Sequence, residues 1–277
     1  MYEMELIVFA ASVYLTIRFI RRWYQMVFGS WIPERGRITR YVLGWLPVVA
    51  LVIIYFALKV LASFDVVNSS FYIQFYLMIG YAFLSLGLMM MAYFWDISWK
   101  DDCFNLQNKA AVFTVSGGFL GLSFIYSGAN LGDGPGWWTV LIAGGLGLIV
   151  WILIGIFFCI YAQVSERVTI DRDINTGIRY GLFLLASGII LGRASAGDWT
   201  SFYMTLVEFM DGWPVLPLTL FAFLIEKYYS KKTEAGDERD NRSVLTTSIA
   251  IGLLYIIIAI ITVLVLPAPN ENPIYGS

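Results

Sequence analysis

Residues 108–138 read NKAAVFTVSGGFLGLSFIYSGANLGDGPGWW, and residues 175–199 read NTGIRYGLFLLASGIILGRASAGDW. Each begins on Asn and continues as an apolar run rich in small residues. An ungapped slide of 67 residues lays Asn108 on Asn175, Ala110 on Gly177, Gly121 on Gly188, Leu122 on Ile189 and Ala129 on Ala196, and it aligns Gly80 with Gly147 in the apolar segments before them. The predicted unit is an apolar helix, a short charged connector ending in Asn, and a second apolar helix. Internal repetition at such a period specifies architecture before it specifies activity.

Working outward, the chain of 277 residues is 59% hydrophobic and 14% charged, with a mean hydropathy of +0.72. A soluble domain of this make-up would lack the polar surface to cover itself, so the reading is an all-α polytopic integral membrane protein. There is no histidine, which removes the usual haem ligand, the commonest zinc and copper ligand, and the usual general base near neutral pH. Cys103 and Cys159 have no paired spacing and read as two separate thiols. No cofactor, no metal site and no catalytic residue is expected. A net charge of −2 without a contiguous basic stripe excludes nucleic acid as a partner.

Apolar runs long enough to cross a bilayer predict eight spans, at about 4–22, 41–62, 71–94, 110–130, 137–162, 176–197, 202–226 and 244–266. They form one transmembrane domain of helical hairpins: a diverged first hairpin (1–70), the core repeat (71–197), a diverged last hairpin (198–266) and an extended external tail (267–277). The first span is the weakest, because Arg18, Arg21 and Arg22 crowd its end. It reads as a retained span rather than a signal peptide, since its leading charges are Glu3 and Glu5.

The basic residues separate by connector. Arg18, Arg21, Arg22, Arg35, Arg37 and Arg40 follow span one; Lys100 and Lys109 follow span three. Arg167, Arg172 and Arg179 follow span five; Lys227, Lys231, Lys232, Arg239 and Arg242 follow span seven. Of the 18 basic residues only Lys59 and Arg193 lie elsewhere. The positive-inside rule makes these four connectors cytoplasmic and puts both termini outside. The segment Lys227–Arg242 reads as a solvated loop of mixed sign.

Lipid tails offer no hydrophobic drive between spans, so association rests on small residues that let backbones approach. Gly117 and Gly121, Ala143 and Gly147, Gly177 and Gly181, and Gly188 and Gly192 each lie four apart on one helix face. Packing is favoured over pore lining, because the polar neighbours Ser116, Ser123 and Ser187 are few and hydroxyls can bond back to their own helix. Asn108 and Asn175 are expected as helix N-caps.

The pattern Asn108-Lys109-Ala110-Ala111 followed by Gly117, Gly118, Gly121, Gly128 and Ala129, then Asp173 to Ile178 followed by Gly188, Gly192 and Ala194, resembles the YjfL-like bacterial inner-membrane proteins. Those are built on a four-helix unit, and no activity is established for them. The resemblance covers about residues 71–197. It implies a bacterial cytoplasmic membrane and no particular chemistry. The outer hairpins carry the pattern poorly.

Ionisable residues inside spans are costly and therefore functional candidates. Glu208 and Asp211 precede Gly212, Pro214 and Pro217 in span seven, where a broken helix beside carboxylates is one way transporters build an ion site. Arg193 and Lys59 lie at comparable depth, so the four form a candidate intramembrane cluster, set against the alternative that each snorkels or only pins a hairpin. The favoured function is a non-catalytic scaffold or accessory subunit, in contact with the lipid bilayer and with another membrane protein or a second copy. A small transporter or channel using Glu208 and Asp211 is the alternative.

Overall fold

The computed structural model describes residues 2–29, 37–234 and 241–267. An apolar chain without water must close its backbone hydrogen bonds internally, and the helix does so within one segment. The helices are α1 (Tyr2–Phe28), α2 (Arg37–Phe56, prolonged by a π-helical turn Ala57–Leu61), α3 (Phe64–Val67), α4 (Ser70–Phe94), α5 (Lys109–Gly128), α6 (Trp137–Ala162), α7 (Val164–Thr169), α8 (Ile174–Ala194), α9 (Phe202–Phe209), α10 (Val215–Glu234) and α11 (Asn241–Val265).

Six of these are long and apolar enough to cross a membrane: Thr39–Leu61, Ser70–Trp95, Lys109–Gly128, Trp137–Ala162, Ile174–Ala194 and Ser243–Val265. A seventh is added if Phe202–Gly212 and Val215–Ser230, bent by 41°, count as one. This is the architecture of a multi-span membrane protein, one or two spans short of the eight expected. The missing one is α1. At 1.5 Å per residue it is about 40 Å long, but Glu3 and Glu5 near its start and Arg18, Arg21 and Arg22 near its end leave it less apolar than the six. The expected loop from Lys227 is also corrected, because α10 continues to Glu234. Of the expected external tail, only Pro267 lies among the described residues.

Helices α2, α5, α8 and α11 stand in a row, each packed on the next, and α1, α4, α6 and α10 form a second row against them. The closest pair is α5 and α8, which run parallel. Gly177 meets Ala110 near their starts, and Gly192 meets Phe124 near their ends. At Gly121 a Cβ would lie 2.5 Å from the Leu184 carbonyl oxygen, so only glycine allows the two backbones this approach. Gly117, Gly181 and Gly188 make the same kind of backbone contact, while Gly147 of α6 abuts Ile125 and Ser195. Nearby hydroxyls are spent locally: Ser116, Ser123 and Ser187 donate to the carbonyls of Val112, Phe119 and Leu184.

The connectors leading into α5 and α8 share an unusual backbone. Asp96 and Gln163 both have φ near +50°, as do Gln107 and Arg172. The first pair is 67 residues apart and the second 65, so the connector before α8 is two residues shorter. That difference corrects one expectation. Asn108 caps α5, accepting from the amides of Ala110 and Ala111, but α8 is capped by Asp173, which accepts from the Asn175 amide. Asn175 lies inside the first turn instead. The 67-residue slide thus aligned glycines that touch across the interface, while corresponding backbone features in this part of the chain lie 65 apart.

Pro47 in α2 shows how the second row supports the first. Its missing N–H frees the carbonyl of Leu43, and the indole Nε1 of Trp23 in α1 donates to that oxygen at 2.9 Å, with both side chains fully buried. Trp23→Phe keeps most of the packing and removes the donor. The expected loss is about 1–3 kcal/mol, measured by denaturation in mild detergent, and Pro47→Ala in the same background should recover part of it by supplying the amide.

Candidate functional site

Three connectors converge at one end of the bundle. Ala62, before α3, pairs with Gly132, and the Gly197 amide donates to the Leu131 carbonyl. Gly132 holds φ +108° and lies against the backbone of Gly197, a position no larger residue fits. Each connector brings one aspartate: Asp65, Asp133 and Asp198. The Asp133 amide donates to the Asp198 carboxylate at 2.6 Å, and the Trp199 amide to the Asp133 carbonyl at 2.7 Å. Together they enclose a cavity of about 200 Å³.

The walls of this cavity are acidic and aromatic. Besides the three aspartates they include Glu5 of α1 and Glu208 of α9, and among the described residues no Lys or Arg. Tyr76 of α4, 8% exposed, forms part of the floor beside Asn130, whose amide donates to the Tyr126 carbonyl. Burial pushes the Asp133 carboxyl up from its ordinary value, and the neighbouring Asp198 and Asp65 carboxylates push in the same direction. Among the described residues no three ligating side chains converge closely enough to hold one metal ion.

The opposite end, where the connectors before α5 and α8 lie, holds a buried charge network. Glu226 of α10 is 2% exposed. Arg179 of α8 grips it twice, Nε to Oε1 at 2.6 Å and Nη2 to Oε2 at 2.9 Å, and Arg167 of α7 adds Nη1 to Oε2 at 2.9 Å. Arg179 also donates to Ser248 of α11 and lies 4.4 Å from the centre of the Tyr229 ring. Arg167 reaches Asp173 at 3.1 Å. Two arginines and two carboxylates therefore balance, and the network ties four helices together.

Asp173 reports on this network. Burial opposes its charge, but the Thr176 hydroxyl, Arg167, Arg179 and the Asn175 amide outweigh that and hold the carboxyl below its ordinary 3.8. A depressed carboxylate contributes stability above its unfolded value and loses it as pH falls through the lowered one. The stability difference between wild type and Asp173→Asn should therefore stay constant from neutral pH down to about 5 and shrink below 3.8. Asn retains the cap, so this comparison isolates the charge.

The expected cluster of Lys59, Arg193, Glu208 and Asp211 is not assembled. Lys59 donates to the Val67 carbonyl at 2.9 Å, and Arg193 to the Pro267 carbonyl. Asp211 is exposed, and its charge bears on Arg193 without an ion pair. Glu208 turns into the acidic cavity. No ion pair joins any two of the four among the described residues.

Sequence reasoning passed over the residues that do assemble. Arg167 and Arg179 count there only towards orientation, although Arg179 lies inside a predicted span and Glu226 closes another. That pairing was the available signal. For the cavity, the signal was one aspartate in each short connector on the same side. No protein-family model matches the chain, and neither a curated protein nor a solved structure matches it, so the resemblance read from Asn and Gly spacings gains no support from these comparisons.

Proposed function

We propose that the protein is a non-catalytic scaffold or accessory subunit of a bacterial cytoplasmic membrane, packing against another membrane protein. The observation that carries this reading is the α5–α8 seam. The middle of the bundle is occupied by two helices in backbone contact, with the hydroxyls of Ser116, Ser123 and Ser187 bonded to their own helices. Helix α9 adds support: it buries none of its residues and leaves Phe202 and Tyr203 exposed, followed by exposed Met210 and Trp213. By the positive-inside rule the aspartate end and both termini face outward, with α1 as an eighth traversal and the row α2, α5, α8, α11 as successive hairpin units.

The test is purification from native membranes in mild detergent with identification of co-purifying chains. A stoichiometric membrane protein that is lost from Phe202→Ser with Tyr203→Ser supports the proposal. A chain that purifies alone and carries its biological role as a monomer overturns it.

A second reading, a small transporter, is favoured by one feature: Glu208 lines the cavity immediately before the 41° break at Gly212–Pro214. Solute uptake into liposomes that disappears in Glu208→Gln, with folding retained, would decide for it.

A further inference from the structure

The acidic cavity is built for more than repulsion among its own carboxylates. Five acidic side chains on α1, α3, α9 and two connectors face one space, and among the described residues no Lys or Arg lines it. Such an arrangement raises the local concentration of cations and is unfavourable when empty.

A second, independent observation comes from Tyr76. It is more than nine-tenths buried, it lines the cavity, and its hydroxyl makes no hydrogen bond among the described residues. The charges of Asp65 and Glu5 bear on that hydroxyl. A buried phenol normally finds a partner, so this one is turned to a space where a ligand or water supplies it. Aromatic surface continues around the same space in Tyr72, Trp137 and Trp199.

The chemistry of the walls selects the ligand class. The carboxylates are spread, with no three close enough for a single metal ion among the described residues. Dispersed negative charge together with aromatic faces suits an organic ammonium group, whose charge is diffuse and whose carbon atoms take the apolar contacts. A cavity of about 200 Å³ has room for a small amine.

We infer that this cavity binds a small organic amine, held by Asp65 and Asp133 with Tyr76 hydrogen-bonded to it. Asp198 spends part of its carboxylate on the Asp133 amide and so serves the wall. The same ammonium chemistry is offered by a free amine and by an aminophospholipid headgroup. The inference is independent of the scaffold reading, and its failure would leave that reading intact.

The test is calorimetric titration of the full-length protein in dodecyl maltoside with putrescine. The expected result is saturable binding at one site, weakened about tenfold or more by Asp65→Asn with Asp133→Asn. Neither carboxylate accepts a backbone hydrogen bond among the described residues, and Tyr76→Phe, which removes one oxygen from a buried ring, provides a gentler variant expected to weaken binding several-fold. Displacement of putrescine by short-chain phosphatidylethanolamine, but not by short-chain phosphatidylglycerol, assigns the site to the headgroup; displacement by neither assigns it to a free amine. Absence of saturable binding, binding indifferent to all three substitutions, or displacement by magnesium at equal concentration overturns the inference.

Discussion

Glu226→Gln is expected to cost about 3–5 kcal/mol of stability. The substitution keeps the shape of the side chain and removes the charge that Arg179 and Arg167 share. Arg179 is 1% exposed, so its guanidinium cannot recover the lost interaction from water, and an uncompensated buried charge is what makes breaking such a pair expensive. Arg167 suffers less, because Asp173 remains 3.1 Å away. The drop should be visible as a fall in melting temperature on the order of 10 °C in mild detergent.

The same network predicts a rescue. Replacing both partners, Arg179→Leu with Glu226→Leu, removes the buried charge altogether and should recover most of the loss, since apolar replacements of buried ion pairs are often neutral. A double variant as unstable as Glu226→Gln would show that the network does more than balance charge. In that case the links from Arg179 to Ser248 and Tyr229, which reach α11 and the last turns of α10, carry the stability.

Gly121→Ala should be the second large effect. A methyl at this position meets the Leu184 carbonyl at 2.5 Å, and that carbonyl belongs to a helix backbone that no rotamer change can move aside. Ordinary overpacking costs about 1–3 kcal/mol because side chains can shift; here the two helices must separate along their length, so the upper end of that range or more is expected. Gly145→Ala provides the control. It lies in α6 with nothing within 4 Å of the added carbon, and it should be neutral or stabilising by about 0.5–1 kcal/mol through helix propensity alone. Both variants can be compared by denaturation in dodecyl sulfate. Equal behaviour would show that small-residue packing is not what holds α5 to α8.

The seam also explains which part of the fold was legible. The glycines four apart at Gly117, Gly121, Gly177, Gly181, Gly188 and Gly192 were readable as packing positions because close approach in a membrane requires small side chains on one helix face. The cap at Asn108 was readable for the same local reason. Asn175 was misread because an ungapped slide cannot see a connector two residues shorter, and the capping role moved to Asp173. The candidate cluster was misread because depth alone decided it. Lys59 and Arg193 bond to the carbonyls of Val67 and Pro267, and neither forms an ion pair with a carboxylate among the described residues.

What the sequence determined by itself was the class of solvent: helices of apolar residues with too little charge for water, and small residues where backbones meet. These are properties of single segments, and local composition settles them. What only the tertiary structure decided was which charges meet. Glu226 is 47 residues from Arg179 and 59 from Arg167, and Asp65, Asp133 and Asp198 belong to three separate connectors. Such encounters depend on how helices are arranged around the α5–α8 pair, and a linear pattern of residues does not contain that arrangement.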